Sequence, residues 1–228
     1  MISTFISASN GERQFNAKEI TELESTTNIF IHLCLFKLEE DFNISAEMAI
    51  ETKVENMVSA ITLDQKIDLK HLSKTVSGVE YNPENFPGLV YRIHEPRVAM
   101  LVFSSGKVIC TGARSIDDVD AALIQLKKKL GEADIKVEGE PLVEVQNIVA
   151  SSDLGFKVNL DLLAVECINT EYEPEQFPGL VFRLEHPKTV MLIFHSGKMI
   201  ITGAKTEQDI HKSAENTKKE VLSYNARM

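Results

Sequence analysis

Asn56 and Asn147 stand at the centres of two matching apolar pentapeptides, VENMV (Val54–Val58) and VQNIV (Val145–Val149), 91 residues apart. A carboxamide breaks no bonds. It offers two N–H donors and an acceptor oxygen, so the chemistry open to this pair is recognition. Residues capable of bond-making do not gather around it. Cys34, Cys110 and Cys167 are far apart and form no CxxC pair, which argues against a disulfide framework or zinc site and fits a reducing compartment. The chain has no HExxH, GxSxG, P-loop or Rossmann fingerprint. His94-Glu95 and Glu185-His186 precede Pro96 and Pro187 at equivalent places but in swapped order. A catalytic dyad would not survive that swap, so both are expected to be solvated strand ends. The pattern predicts no enzyme, no metal and no cofactor.

The two pentapeptides belong to an internal duplication. Glu80–Ala113 (EYNPENFPGLVYRIHEPRVAMLVFSSGKVICTGA) is repeated at Glu171–Ala204 (EYEPEQFPGLVFRLEHPKTVMLIFHSGKMIITGA) with the same offset. Without gaps, Val54–Val119 and Val145–Ile210 share 29 of 66 positions. Two long copies predict two half-domains about a pseudo-two-fold axis rather than a solenoid. Each copy reads as a first strand (54–60; 145–151), a short helix, a proline loop (81–87; 172–178), three strands and a closing helix. The short helices carry Leu69, Leu72 and Val76, and Leu160, Leu163, Ala164 and Cys167, on one face. Ser104-Ser105-Gly106 and His195-Ser196-Gly197 suit hairpins with a glycine bulge. Val119, Ala122, Leu123, Leu126 and Leu130 form a helical stripe, led by acids and ended by Lys127–Lys129, as the helix dipole favours. The expected fold is α+β: one curved antiparallel sheet, a saddle, with every helix on its convex side.

Such a sheet leaves one face uncovered. Alternation places Val54, Asn56 and Val58 with Leu101, Phe103, Lys107, Ile109 and Thr111 on one side, and Met57, Val102, Val108 and Cys110 on the other. The second copy offers Val145, Asn147, Val149, Leu192, Phe194, Lys198, Ile200 and Thr202 against Ile148, Ile193, Met199 and Ile201. Both faces are largely apolar, and helices can bury only one. An uncovered apolar face of this size marks an interaction surface. It carries one amide per half, with Arg92, Lys107, Arg183 and Lys198 at its margin. The minor groove of A·T pairs shows acceptors alone. Amide donors, methyl groups and rim cations would suit it. The same composition suits a face packed on another protein or on a second copy. In that case the asparagines would be structural hydrogen-bonders, and Phe86 and Phe177 loop anchors beside proline.

Charge cuts against nucleic acid. The formal net charge is −10, where such proteins usually show a basic footprint. Half of the excess lies in residues 1–50, so a locally neutral or basic face remains compatible with it. The longest apolar run, Ile29–Phe36, falls short of the roughly 20 residues that span a bilayer and follows no basic leader.

VQNIVAS, EYEPEQFPGLVFR, LIFHSGK and ITGAK, with their counterparts VENMVSA, EYNPENFPGLVYR, LVFSSGK and CTGAR in the same order in the first copy, over about residues 51–228, resemble the signature of the TATA-box-binding protein family, and the acidic Pro-Gly loops look archaeal. The resemblance implies a general transcription initiation factor. It would bind and bend A·T-rich duplex DNA from the minor groove, recruit the B-type initiation factor and, through it, RNA polymerase, and work in an archaeal cytoplasm on the nucleoid. It implies base contacts by Asn56 and Asn147. Val58, Val149, Leu101, Leu192, Ile109, Ile200, Thr111 and Thr202 would make apolar groove contacts. Phe86 with Phe103, and Phe177 with Phe194, would be wedges. Arg92, Arg183, Lys107, Lys198, Ser105 and Ser196 would meet phosphates, and Glu173 and Glu175 the B-type factor. The rival reading is a related domain that binds proteins or RNA·DNA hybrids without promoter specificity.

Two departures stand out. Glu55 occupies the place where the second copy has Gln146. Residues 1–47 match nothing in the family, so the expected division is an extension (1–47), a first repeat (48–141) and a second (142–228), with Met48 an alternative start.

Overall fold

The computed structural model describes residues 50–228; the expected extension, its alternative start and Cys34 lie outside them. The first repeat contributes β1 (Thr52–Thr62), α1 (Leu69–Thr75), β2 (Val79–Glu80), β3 (Leu89–Ile93), β4 (Val98–Val102), β5 (Lys107–Ala113) and α2 (Ile116–Gly131). The second follows with β6 (Leu142–Asp153), α3 (Leu160–Glu166), β7 (Thr170–Glu171), β8 (Gly179–Leu184), β9 (Thr189–Phe194), β10 (Lys198–Ala204) and α4 (Glu207–Ser223). Each helix opens on a side-chain cap of the preferred type. Asp68 accepts from the Lys70 and His71 amides, Ser115 from Asp118, Asn159 from Leu162 and Thr206 from Asp209. The Val119–Leu130 stripe of α2 is buried as its spacing requires.

All ten strands form one antiparallel sheet in the order β2-β3-β4-β5-β1-β6-β10-β9-β8-β7. The order is a palindrome of the two repeats, joined where β1 meets β6. There Met57 pairs with Ile148, its own repeat equivalent, flanked by Asn56–Val149 and Val58–Asn147. The pseudo-two-fold axis therefore passes through the Met57–Ile148 pair. Met100, Val102, Val108, Leu180, Met191 and Ile193 point under the helices and are fully buried, while Leu101, Ile109, Leu192 and Ile200, one residue out of phase, are not. The helices thus cover one face, and the other is open, as expected for the saddle. The short edge strands β2 and β7 were not foreseen; two-residue segments carry too little pattern to read.

Simple alternation misplaces two residues. Val54 pairs with buried Ala150, and Val145 with buried Ser59, so both lie on the helix side and pack against the core. The register slips between Val54 and Asn56 and between Val58 and Ser59, which marks bulges at Glu55 and Gln146. Each bulge inserts one residue and reverses the parity beyond it. Asn56, Val58, Asn147 and Val149 keep the open face expected of them.

The Ser59 hydroxyl is fully buried and has no hydrogen-bond partner among the described residues. The equivalent residue in the second repeat is Ala150, also buried. An unsatisfied buried hydroxyl costs about 1–3 kcal/mol. Ser59→Ala is therefore expected to raise the melting temperature by roughly 2–12 °C, at the 2–4 °C per kcal/mol usual for a domain this size. A calorimetric scan showing a lower value would refute the assignment.

Candidate nucleic-acid interface

The two asparagines are held in one orientation by the backbone beside them. β5 and β10 each break their pairing near a glycine, Gly112 (φ +97) and Gly203 (φ +93). The freed amides donate to Asn56 Oδ1 at 2.8 Å and Asn147 Oδ1 at 2.7 Å. With each oxygen turned to an N–H, the NH2 group is the side left for the open face. Nδ2 of Asn147 also reaches Thr202 Oγ1 at 3.2 Å, whereas Nδ2 of Asn56 has no partner among the described residues.

Cross-strand register assembles the floor around them. Val90, Leu101, Ile109 and Ala60 form one row, and Val181, Leu192, Ile200 and Ser151 its counterpart. With Val58, Val149, Thr111 and Thr202 these side chains are half-buried, Ile200 more exposed, and none packs against the core. Val90, Val181 and Ala60 went unnoticed in the sequence; the alternation through β3, β8 and β1 was the signal that could have found them.

At each end of the floor two rings meet. Phe86 and Phe103 lie 5.8 Å apart between centroids, Phe177 and Phe194 5.9 Å, each pair edge to face at 64°. Phe86 and Phe177 are 36% and 41% exposed, so they do not anchor their loops in the core. A Cβ at Gly88 or Gly179 would fall 2.6 Å from the Phe86 or Phe177 ring edge. The F-P-G triplets thus include a glycine that makes room for the rings, a role not read from the sequence.

Exposed cations border the floor. Lys107 and Lys198 follow the hairpin turns, where the Ser105 and Ser196 hydroxyls accept from their amides. Gly106 and Gly197, with φ of +86 and +91, make the expected bulged turns. Arg92 and Arg183 lie near the sheet edges beside Glu80 (3.8 Å) and Glu171 (3.3 Å). Arg97 and His94 join Arg92 around a cleft that also exposes Asn56 and Thr111; the sequence gives His94 only as a strand end and does not single out Arg97. His94, Glu95, Glu185 and His186 are exposed, as expected. Burial pushes the Cys110 thiol up to about 11, so it stays neutral rather than becoming a nucleophile. Glu173 and Glu175 are exposed on the second proline loop, where Glu173 accepts from the Gln176 side chain.

Fold and face together define a duplicated α+β protein that presents a continuous, uncovered sheet surface with amide donors at its centre and paired aromatic rings at its ends. The family model described as "Transcription factor TFIID (or TATA-binding protein, TBP)" matches residues 51–133 and 142–224. The chain is 50% identical over 171 residues to the TATA-box-binding protein of Archaeoglobus fulgidus, covering 74% of this chain and 93% of that one. It is 49% identical over 165 residues to TATA-box-binding protein 2 of Haloferax volcanii, covering 72% and 89%. The solved structure of Methanococcus jannaschii TBP superposes with a TM-score of 0.72 at 45% identity, over 76% of this chain and 99% of that one. The chain belongs to the TATA-binding protein family.

Proposed function

We propose that this protein is a general transcription initiation factor that grips and bends A·T-rich promoter DNA with its open face. The observation that carries this reading is the fixed orientation of Asn56 and Asn147. Their oxygens are occupied by the Gly112 and Gly203 amides, so the groups turned outward are donors. The floor of an A·T minor groove offers acceptors only, whereas a G·C pair adds an amino group that would meet the apolar floor. Leu101, Leu192, Ile109, Ile200, Val58, Val149, Thr111 and Thr202 pack on the groove. The two phenylalanine pairs insert between base steps, and Arg92, Arg183, Lys107, Lys198, Ser105 and Ser196 meet phosphates. Binding to labelled TATA, G·C and RNA·DNA hybrid duplexes tests it. Preference for the TATA duplex is expected; preference for the hybrid would favour the rival reading, and no discrimination would sink both.

The bound protein then recruits the B-type initiation factor through Glu173 and Glu175, and RNA polymerase through that factor. Both carboxylates are exposed on the loop that leads to Phe177. Reversing interface charges sets like against like, which costs several kcal/mol. Glu173→Arg with Glu175→Arg is expected to leave TATA binding within about two-fold and to abolish the ternary complex in a gel shift. Unchanged ternary assembly would disprove this role.

A further inference from the structure

The bulge beside Asn56 carries a carboxylate where its counterpart carries an amide. Glu55 lies on the open face, because its Oε1 accepts from the hydroxyl of Ser151, a member of the floor row, at 2.8 Å. The Lys53 ammonium holds the same oxygen at 3.2 Å. Oε2 has no partner among the described residues, and the side chain is 36% exposed. The Ser151 hydrogen bond, and then Lys53, keep the carboxyl below its ordinary range, so it is ionised at neutral pH. Across the axis nothing equivalent exists. Gln146 replaces Glu55, Ala60 replaces Ser151 and Glu144 replaces Lys53, and the Gln146 amide leans on the Glu144 backbone oxygen at 3.5 Å.

A tethered carboxylate with one free oxygen is an acceptor and nothing else. Adenine N3 and thymine O2 repel it. The one donor on a minor-groove floor is the guanine 2-amino group. Resting on the reading of the open face as the DNA site, we propose that Glu55 is a specificity-determining residue that accepts a hydrogen bond from a guanine 2-amino group, so that one half of the bound element admits a G·C pair that the other half rejects. Lys53 and Ser151 position the carboxylate, and Lys53 offsets its charge toward the phosphates.

The test uses the full chain and a TATA duplex in which each base pair in turn becomes G·C or inosine·C. Inosine lacks only the 2-amino group. At one position beside the centre, in one half alone, the parent is expected to bind the G·C duplex at least three-fold tighter than the inosine·C duplex. Elsewhere the order is reversed, because the amine obstructs an apolar floor. Glu55→Gln, which installs the residue of the second repeat, is expected to restore the reversed order at that position. It should leave affinity for the unsubstituted TATA duplex equal or higher. If the parent prefers inosine·C at every position, the proposal is overturned. So it is if Glu55→Gln raises affinity uniformly without changing the ratio, since Glu55 then acts only by repelling phosphates. Failure of the parent to bind the unsubstituted duplex would instead strike at the DNA-binding reading itself.

Discussion

Replacing Phe177 and Phe194 together by alanine is expected to leave the folded protein almost unchanged and to cripple its action on DNA. A core phenylalanine truncated to alanine costs roughly 3–5 kcal/mol. These rings touch each other at the end of the open face, and Phe177 is 41% exposed, so the melting temperature should stay within a few degrees of the parent. Unstacking a base step costs a few kcal/mol, which an inserted ring offsets. Without the rings, the bend measured by fluorescence transfer across a TATA duplex should fall. Affinity should drop about ten-fold or more, one decade for each 1.4 kcal/mol. A double mutant that unfolds, or one that bends DNA as the parent does, would exclude the wedge role.

Asn147→Asp should have a larger effect for a different reason. The aspartate keeps an oxygen for the Gly203 amide, so the bond that seats the side chain survives. What changes is the outward group, from a neutral donor to a charged acceptor facing acceptors. The lost hydrogen bond and a carboxylate left unpaired against acceptors, each costing about 1–3 kcal/mol, are together expected to weaken TATA binding about a hundred-fold or more. Asn147→Ala removes the donor without adding charge, and should weaken binding less. If Asn147→Asp binds as tightly as Asn147→Ala, the amide does not face the bases. Thermal melting of both variants separates this from loss of fold.

Much of this architecture is legible in the amino-acid sequence. The duplication and its alternating strands fixed the number of main strands, the two hairpins and the buried stripe of α2, because each of these follows from a local period. What failed was parity. Val54 and Val145 read as partners of the asparagines, yet bulges at Glu55 and Gln146 turn them to the helix side. A bulge depends on pairing across the sheet, which one strand's pattern does not encode. The same limit hid the Asn56–Gly112 and Asn147–Gly203 bonds, each linking residues 56 apart in the chain. Gly88 and Gly179 were passed over because their role lies in what a side chain there would strike, not in any spacing.

The Met57–Ile148 pair at the centre of the sheet makes this chain equivalent to a homodimer whose subunits have been tied together. A half on its own would end in the bare edge of β1, and two identical halves would close that edge on each other with the register seen here. An untied dimer, however, must carry the same residue at both equivalent positions. Every improvement on one side is then imposed on the other, and the partnership dissolves on dilution. Covalent linkage removes both constraints. Glu55 could diverge from Gln146, and Ser151 from Ala60, without either half losing its mate. Fusion thus gave a symmetric grip the freedom to acquire a left and a right hand.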